Sequence, residues 1–485
     1  MRYVKGWEDE DIVCARIFFP KSEGDEWYGW ISMDIVELSR IQFALNISFH
    51  YLYPPISIGL SLILVFMEGY YLKTKKAIHL RMVQFWMGIF ALSFMLGVAT
   101  GLVQLFAFGT NWSRYSCFVG DVFGSALAAE GIFAFFLEAG CIGIMLFGWK
   151  KVAPKWHYLS TCCVSLGTHL SAFWIVSVNS WMQTPAGFKI VGQGEESHAV
   201  VTHFWQMVFN PSFLDRLTHV LIGTWLTGTF VLLSVSAYYL LKRRDQEFAY
   251  FGMKMGLIIG AILVTLMPFS ADRSARGIAK YQPEKFAAIE GVYHTQSGAP
   301  MNLIGYVDSK ERKVYSLKVP GLLSWLAWRD TKAQIKGLSE FPENDWPNVP
   351  VLFQLYHLMI YMWGLMLLAI VLGGIVWWRK RLHRATWTLG FLMVSFLFPW
   401  ITNLVGWGVA EMGRQPWIVY KLLRVSQGIS PGVNRNQVIG SIAMFLPIYL
   451  LLFFLFLYLV FRKIRLGPER DEDRASPSRQ IKGEL

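Results

Sequence analysis

Long apolar runs separated by short polar turns set the rhythm of this chain. Crossing about 30 Å of hydrocarbon takes about 20 helical residues, and nine runs qualify: 42–68, 82–108, 125–148, 158–181, 213–241, 248–270, 351–377, 387–409 and 438–461. The pattern predicts an all-α, polytopic membrane bundle of nine transmembrane helices with one large extracytoplasmic loop. That loop, 271–350, carries a helical pattern at Pro283–Glu290 and short β-like runs at Asn302–Val307 and Lys313–Leu317. Insertions of this length are as a rule functional or disordered. The expected organisation is therefore a polar extension at 1–32, six spans within 33–270, the insert, three spans within 351–465, and a charged, disordered tail at 466–485. Met33-Asp34-Ile35-Val36-Glu37 would make a natural start, so 1–32 reads as an extension or a misassigned start. No short apolar region precedes a small-residue cleavage site, so no cleavable signal peptide is expected. The lack of an internal repeat counts against a secondary transporter.

Charge fixes the orientation. The net charge of +12 invites a nucleic-acid partner, but its placement argues against one. Basic residues gather in alternate short loops: Lys73, Lys75, Lys76 and Arg81; Lys150, Lys151 and Lys155; Lys242, Arg243 and Arg244; Arg379, Lys380, Arg381 and Arg384; then Arg462, Lys463 and Arg465. The positive-inside rule makes those loops cytoplasmic, the amino terminus external and the carboxyl terminus cytoplasmic. The five cysteines form no CxxC or CxxCH, which excludes a zinc ribbon and c-type haem attachment.

Candidate chemistry lies where polar groups interrupt apolar helix. Glu411 and Arg414 stand three residues apart in Glu411-Met412-Gly413-Arg414-Gln415-Pro416-Trp417, where the eighth run meets a polar loop. Charges at such depth cost several kcal/mol unless paired and usually mark a functional site. Four histidines fall inside the spans: His50, His169, His219 and His357. Taken alone, a buried histidine is more often a hydrogen-bonded core residue than a ligand. His219 and Met359, however, both lie near the outer ends of their spans. An imidazole and a thioether from facing helices make the axial pair of a six-coordinate, low-spin haem. His50 also lies toward the outer end of its span. In the third span Glu130 and Glu138 are about 12 Å apart along a regular helix and within about 80° of one another. Such a pair reads as a proton relay or as neutralised structural carboxylates. Lys285 and Glu290, in the insert, read by themselves as a solvated helix face.

Taken together these runs resemble subunit I of the cytochrome bd family of quinol oxidases. The matching segments are LSRIQFALNISFH (Leu38–His50), GVATG (Gly97–Gly101), FGTNWS (Phe108–Ser113), the GD-FG-LA-EG-FAFFLE pattern (Gly120–Glu138), LSAFWI and NSWMQTP (Leu170–Pro185), KFAAIE (Lys285–Glu290) and GW-VAEMGRQPW (Gly406–Trp417). The resemblance spans about 33–465. It implies that His219 and Met359 hold a low-spin haem b, and that His50 and Glu411 hold two high-spin haems, one a haem b and the other a haem d or a third haem b. It further implies that Arg414 and Arg40 lie near haem propionates, that Trp407 packs between haems, and that Glu130 and Glu138 supply protons to the oxygen-reducing haem. Lys285 and Glu290 resemble the quinol-site pair, which makes 271–350 a quinol-binding loop.

Three positions depart from the family pattern. His357 stands where an arginine is common and becomes a conceivable rival to Met359. His169 replaces a common asparagine and reads as polar packing. Leu404 takes a place often held by glutamate. The implied activity is oxidation of ubiquinol or menaquinol outside, with reduction of O2 to water by cytoplasmic protons, in a prokaryotic cell membrane. The implied partners are membrane lipid, a subunit II and small accessory subunits. The rival reading is a membrane b-type cytochrome that transfers electrons or senses redox state without reducing oxygen.

Overall fold

The computed structural model describes residues 33–468; the extension expected at 1–32 and the tail beyond 468 lie outside the described residues. Among these residues, nine helical segments are long and apolar enough to cross a membrane, matching the hydrophobic pattern. The first span is two helices, α1 (Ile35–His50) and α2 (Pro54–Thr74). The second is α3 (Ala77–Asn111), followed by the short α4 (Ser113–Phe118). The third joins α5 (Gly120–Glu130) to α6 (Phe136–Phe147) through a π-helical turn at Gly131–Phe135. The fourth is α7 (Pro154–Gln183). A ribbon of β1 (Phe188–Val191) and β2 (His198–Val201), then α8 (Phe204–Val208), leads to the fifth and sixth spans, α9 (Phe213–Leu241) and α10 (Gln246–Tyr281).

The insert holds α11 (Pro283–Glu290), β3 (Gln296–Ser297), β4 (Met301–Asp308), β5 (Lys313–Val319), α12 (Leu322–Trp328) and β6 (Gln334–Ile335). The helix and both longer strands fall where the sequence pattern puts them. The seventh span is α13 (Val349–Trp378); the eighth is α14 (Thr386–Val394) and α15 (Leu397–Met412). A ribbon of β7 (Trp417–Val419) and β8 (Leu423–Arg424) precedes the ninth, α16 (Arg435–Leu466).

Two expected spans are broken rather than continuous. Pro54 and Pro55 lack the N–H that an unbroken helix needs there, so the chain turns at Tyr51–Tyr53 and His50 becomes the last residue of α1. The eighth span breaks at Ser395–Phe396, just before Pro399. In the third span the π turn changes the angular offset that a regular helix would give Glu130 and Glu138.

Close backbone approach holds the bundle together. A Cβ on Gly59 of α2 would lie 2.3 Å from the Thr224 carbonyl oxygen of α9, so this crossing tolerates only glycine. Small residues are how membrane helices pack without help from water. At the end of the bundle away from the insert Arg244 donates to the carbonyls of Arg465 and Leu466, and Tyr239 Oη of α9 to that of Ile464 at 2.6 Å, capping α16. A buried tie that the sequence pattern does not reveal links the first and fourth spans. Glu68 Oε1 meets His157 Nδ1 at 2.7 Å, and Oε2 accepts from Thr161 Oγ1 at 2.6 Å. Removing one member of a buried pair strands the other. Glu68→Ala should therefore lower stability by about 3–5 kcal/mol, seen as earlier thermal loss of helical circular dichroism; an unchanged transition would mean the tie is idle.

Candidate active site

One cavity between the helices measures about 1300 Å³, beyond the roughly 300–1,000 Å³ of an ordinary ligand pocket. Its wall contains Arg40, His50, Glu130, Glu138, His219, Lys285, Met359, Trp407, Glu411 and Arg414. Thus five spans, the turn after the eighth and the insert bring every expected site residue but Glu290 to one cavity.

The donor atoms are prepared for a metal-bearing group. His50 Nδ1 lies 3.1 Å from Thr100 Oγ1, and that hydroxyl spends its proton on the Leu96 carbonyl at 2.7 Å. Nδ1 must therefore donate, which leaves the Nε2 lone pair free for a metal. Gly101 makes room for this ring, since a Cβ there would lie 3.1 Å from His50 Cε1. His219 sets Nδ1 3.4 Å from Ser270 Oγ. Met359 Sδ lies 3.3 Å from the place a Cβ on Gly406 would occupy, so Gly406 keeps the thioether unobstructed.

Glu411 ends α15, accepts from Asn179 Nδ2 at 2.9 Å and pairs with Arg414. Arg414 keeps Nη1 buried without a protein partner, as does Trp417 its Nε1. Two imidazoles, a thioether and a carboxylate around one cavity, with unanswered N–H donors beside them, fit haem iron and haem propionates.

Both carboxylates of the third span face α7. Glu130 accepts from Ser171 Oγ, and Glu138 lies against Gly167, where a Cβ would come within 2.4 Å of its Cγ. Ser171 and Gly167 are one helical turn apart, so the two carboxylates share a face despite the π turn.

Lys285 and Glu290 do not form a contact pair. Lys285 passes over Gly413, where a Cβ would lie 2.7 Å from its Cε, and donates to the Ala410 carbonyl at 2.9 Å and Gln183 Oε1 at 3.3 Å. Burial, then the cations of Arg216 and Arg414, hold its ammonium well below the usual lysine range, against the pull of Glu411. Glu290 points elsewhere, hydrogen-bonding Tyr356, and burial raises its pKa to about 7. Tyr356 lines the cavity where Glu290 does not. The solvated-face reading fails for both, because each is only 2% exposed.

His357 is not a rival ligand. Its Nδ1 and Nε2 each lie 2.8 Å from a backbone carbonyl, of Phe353 and Asn302. His169 is polar packing, as expected: Nδ1 meets the Ser165 carbonyl at 2.6 Å and Nε2 accepts from Trp225 Nε1 at 2.9 Å. Sequence reasoning missed Arg216, which donates to Asn179 Oδ1 and to Ser180 Oγ at 3.1 Å. The available signal was an arginine one turn before His219 on an apolar helix. Asn179, Thr100 and Ser171 lay within quoted motifs, but nothing in their spacing gave them a partner.

A membrane helix bundle with haem-type ligands and buried carboxylates around a common cavity defines a class, the polytopic membrane cytochromes. The family model described as "Cytochrome bd terminal oxidase subunit I" matches residues 38–468, and the chain belongs to that family. It is 37% identical to "Cytochrome bd ubiquinol oxidase subunit 1" of Bacillus subtilis (strain 168), over 92% of this chain and 97% of that protein. It is 31% identical to "Cytochrome bd-II ubiquinol oxidase subunit 1" of Escherichia coli (strain K12), over 90% and 97%. The fold superposes on the bd oxidase from Geobacillus thermodenitrificans with TM-score 0.82 at 28% identity, covering 90% of this chain and 99% of that one. The chain is thus a terminal oxidase subunit.

Filling the space beside Met359 tests its assignment. Gly406→Val should abolish the low-spin, six-coordinate haem signal and spare the high-spin absorption. An unaltered low-spin spectrum would show that the sulfur does not bind iron.

Proposed function

We propose that this chain is the haem-bearing subunit I of a bd-type ubiquinol or menaquinol oxidase, which oxidises quinol at the outer face and reduces O2 to water with cytoplasmic protons. The convergence of His50, His219, Met359 and Glu411 on one cavity, with Glu130 and Glu138 in its wall, carries this reading. His219 and Met359 would hold a low-spin haem b, while His50 and Glu411 would hold high-spin haems, one of b type and one of d or b type. When bound, these groups supply one-electron transfer and oxygen reduction.

The protein's own residues do the rest. Thr100 fixes the His50 tautomer, and Asn179 with Arg414 aims Glu411. Arg414 and Arg40 would offer guanidinium N–H groups to propionates, and Trp407 would pack against the macrocycles. Lys285 and Glu290 both belong to α11 at the quinol site, each on its own side of the helix. Lys285 binds and orients a quinol oxygen from the cavity side. Glu290 takes the quinol proton and releases it outside. Glu138 and then Glu130, held by Ser171, deliver protons from the inner side. Charge is separated by where protons are taken up and released, without a pump.

The relatives' names call them subunit 1, so a subunit II is the expected partner, with small accessory subunits beside it. The membrane of a prokaryotic cell holds the complex, amino terminus outside and carboxyl terminus inside.

Glu130→Gln should cut oxygen consumption by about 100-fold or more while quinol still reduces the low-spin haem; undiminished turnover would remove Glu130 from the proton path. Because the Glu290 pKa is raised to about 7, its basic form grows as pH rises through neutrality. Quinol oxidation should climb by up to about tenfold between pH 6 and 8, and Glu290→Gln should flatten that limb. A variant that kept the limb would assign the base elsewhere.

A further inference from the structure

The outer insert presents an apolar face that the bundle leaves uncovered. β4 pairs antiparallel with β5, setting Ile304 opposite Leu317, Tyr306 opposite Tyr315 and Asp308 opposite Lys313. Side chains alternate across a strand, and Ile304, Tyr306, Tyr315 and Leu317 share one side. They are 64%, 59%, 44% and 64% exposed, and the two tyrosine rings stack at 5.3 Å. The opposite side faces inward: Val307 packs on the apolar cluster around α11, and Val314 lies against Gly291.

The position of the hairpin along α13 says what lies over the exposed side. Gln354 donates to the Gly305 carbonyl at 2.9 Å, and Tyr361 to the Leu303 carbonyl at 2.8 Å. Residues at this seven-residue spacing form one stripe of a helix. The stripe continues through Leu368 and Ile375, which are 45% and 41% exposed on a membrane span. The hairpin therefore covers the outer part of a stripe whose inner part meets acyl chains, and its free side looks into the same compartment. Tyr361 lies about 26 Å along the helix from Trp378 at about 1.5 Å per residue, close to the outer limit of roughly 30 Å of hydrocarbon. From base to tip the face then runs aliphatic, aromatic and charged. A bilayer passes from acyl chains through the aromatic belt to water in that order.

We propose that this face is a membrane-interface anchor. Ile304 and Leu317 sit among the acyl chains of the outer leaflet, Tyr306 and Tyr315 lie at headgroup level, and Asp308 and Lys313 reach water. The anchor sets the height of α11 above the bilayer, because Asn302, at the base of β4, donates from Nδ2 to the Glu290 carbonyl at 2.7 Å. The proposal rests on the membrane-spanning reading of the helices and not on quinol oxidation, so it stands or falls separately from the proposed activity.

The test uses the whole oxidase complex in nanodiscs of dioleoyl phosphatidylglycerol, with p-benzoyl-phenylalanine replacing Ile304, or Ser309 at the exposed tip. After irradiation, peptide mass spectrometry should find phospholipid adducts at position 304 at least tenfold above those at 309. Leu317 serves as a second site on the same face should the position 304 variant fail to assemble with normal haem absorption. Crosslinking of 304 or 317 to another polypeptide, or lipid adducts no more frequent than at 309, overturns the anchor.

Discussion

Buried positive charge at the end of the bundle that carries the insert is the constraint from which the site follows. Arg216, Arg414 and Lys285 crowd around the single carboxylate of Glu411, close enough that each perturbs the others. Such a cluster is costly in a poorly solvated place unless every charge meets a partner. The protein answers part of it through Asn179, which bridges Glu411 and Arg216, and through the Ala410 carbonyl, which takes Lys285. The proposed haem propionates would answer the rest, and Arg414 keeps a buried Nη1 without a protein partner beside the cavity.

The same cluster couples the two halves of the proposed reaction. Lys285 belongs to the insert, yet its ammonium rests on the residue next to Glu411, reached across a glycine that offers no side chain. The lysine of the proposed quinol site and the carboxylate of the proposed haem ligand therefore share one electrostatic environment. A change in charge on either must be felt by the other, because little water lies between to screen it. Glu290 stands apart, its side chain meeting Tyr356, which lines the cavity. Binding of a quinol oxygen and removal of its proton can thus be tuned independently.

Breaks in helices, more than helices, shape the cavity. The proline pair after His50 stops α1 and leaves the imidazole at a helix end. Across the π turn, Glu130 and Glu138 both remain on the side facing α7. Small residues at Gly101, Gly167, Gly406 and Gly413 clear space beside His50, Glu138, Met359 and Lys285 in turn. In each case a local departure from regular packing supports a functional side chain.

The sequence by itself determined the number of spans, the insert with its helix and hairpin, and nearly all of the candidate site residues that the cavity gathers. Hydrocarbon forces backbone polar groups to pair within each segment, so span count and length follow from composition alone. Candidate positions could be read for a similar reason, since ionisable groups in apolar helix are costly and therefore few. Partnership was another matter. That His357 spends both nitrogens on carbonyls, that Lys285 and Glu290 turn away from each other, and that Arg216 joins Glu411 through Asn179 depend on contacts between residues far apart in the chain. No local periodicity encodes those contacts; only helix packing decides them.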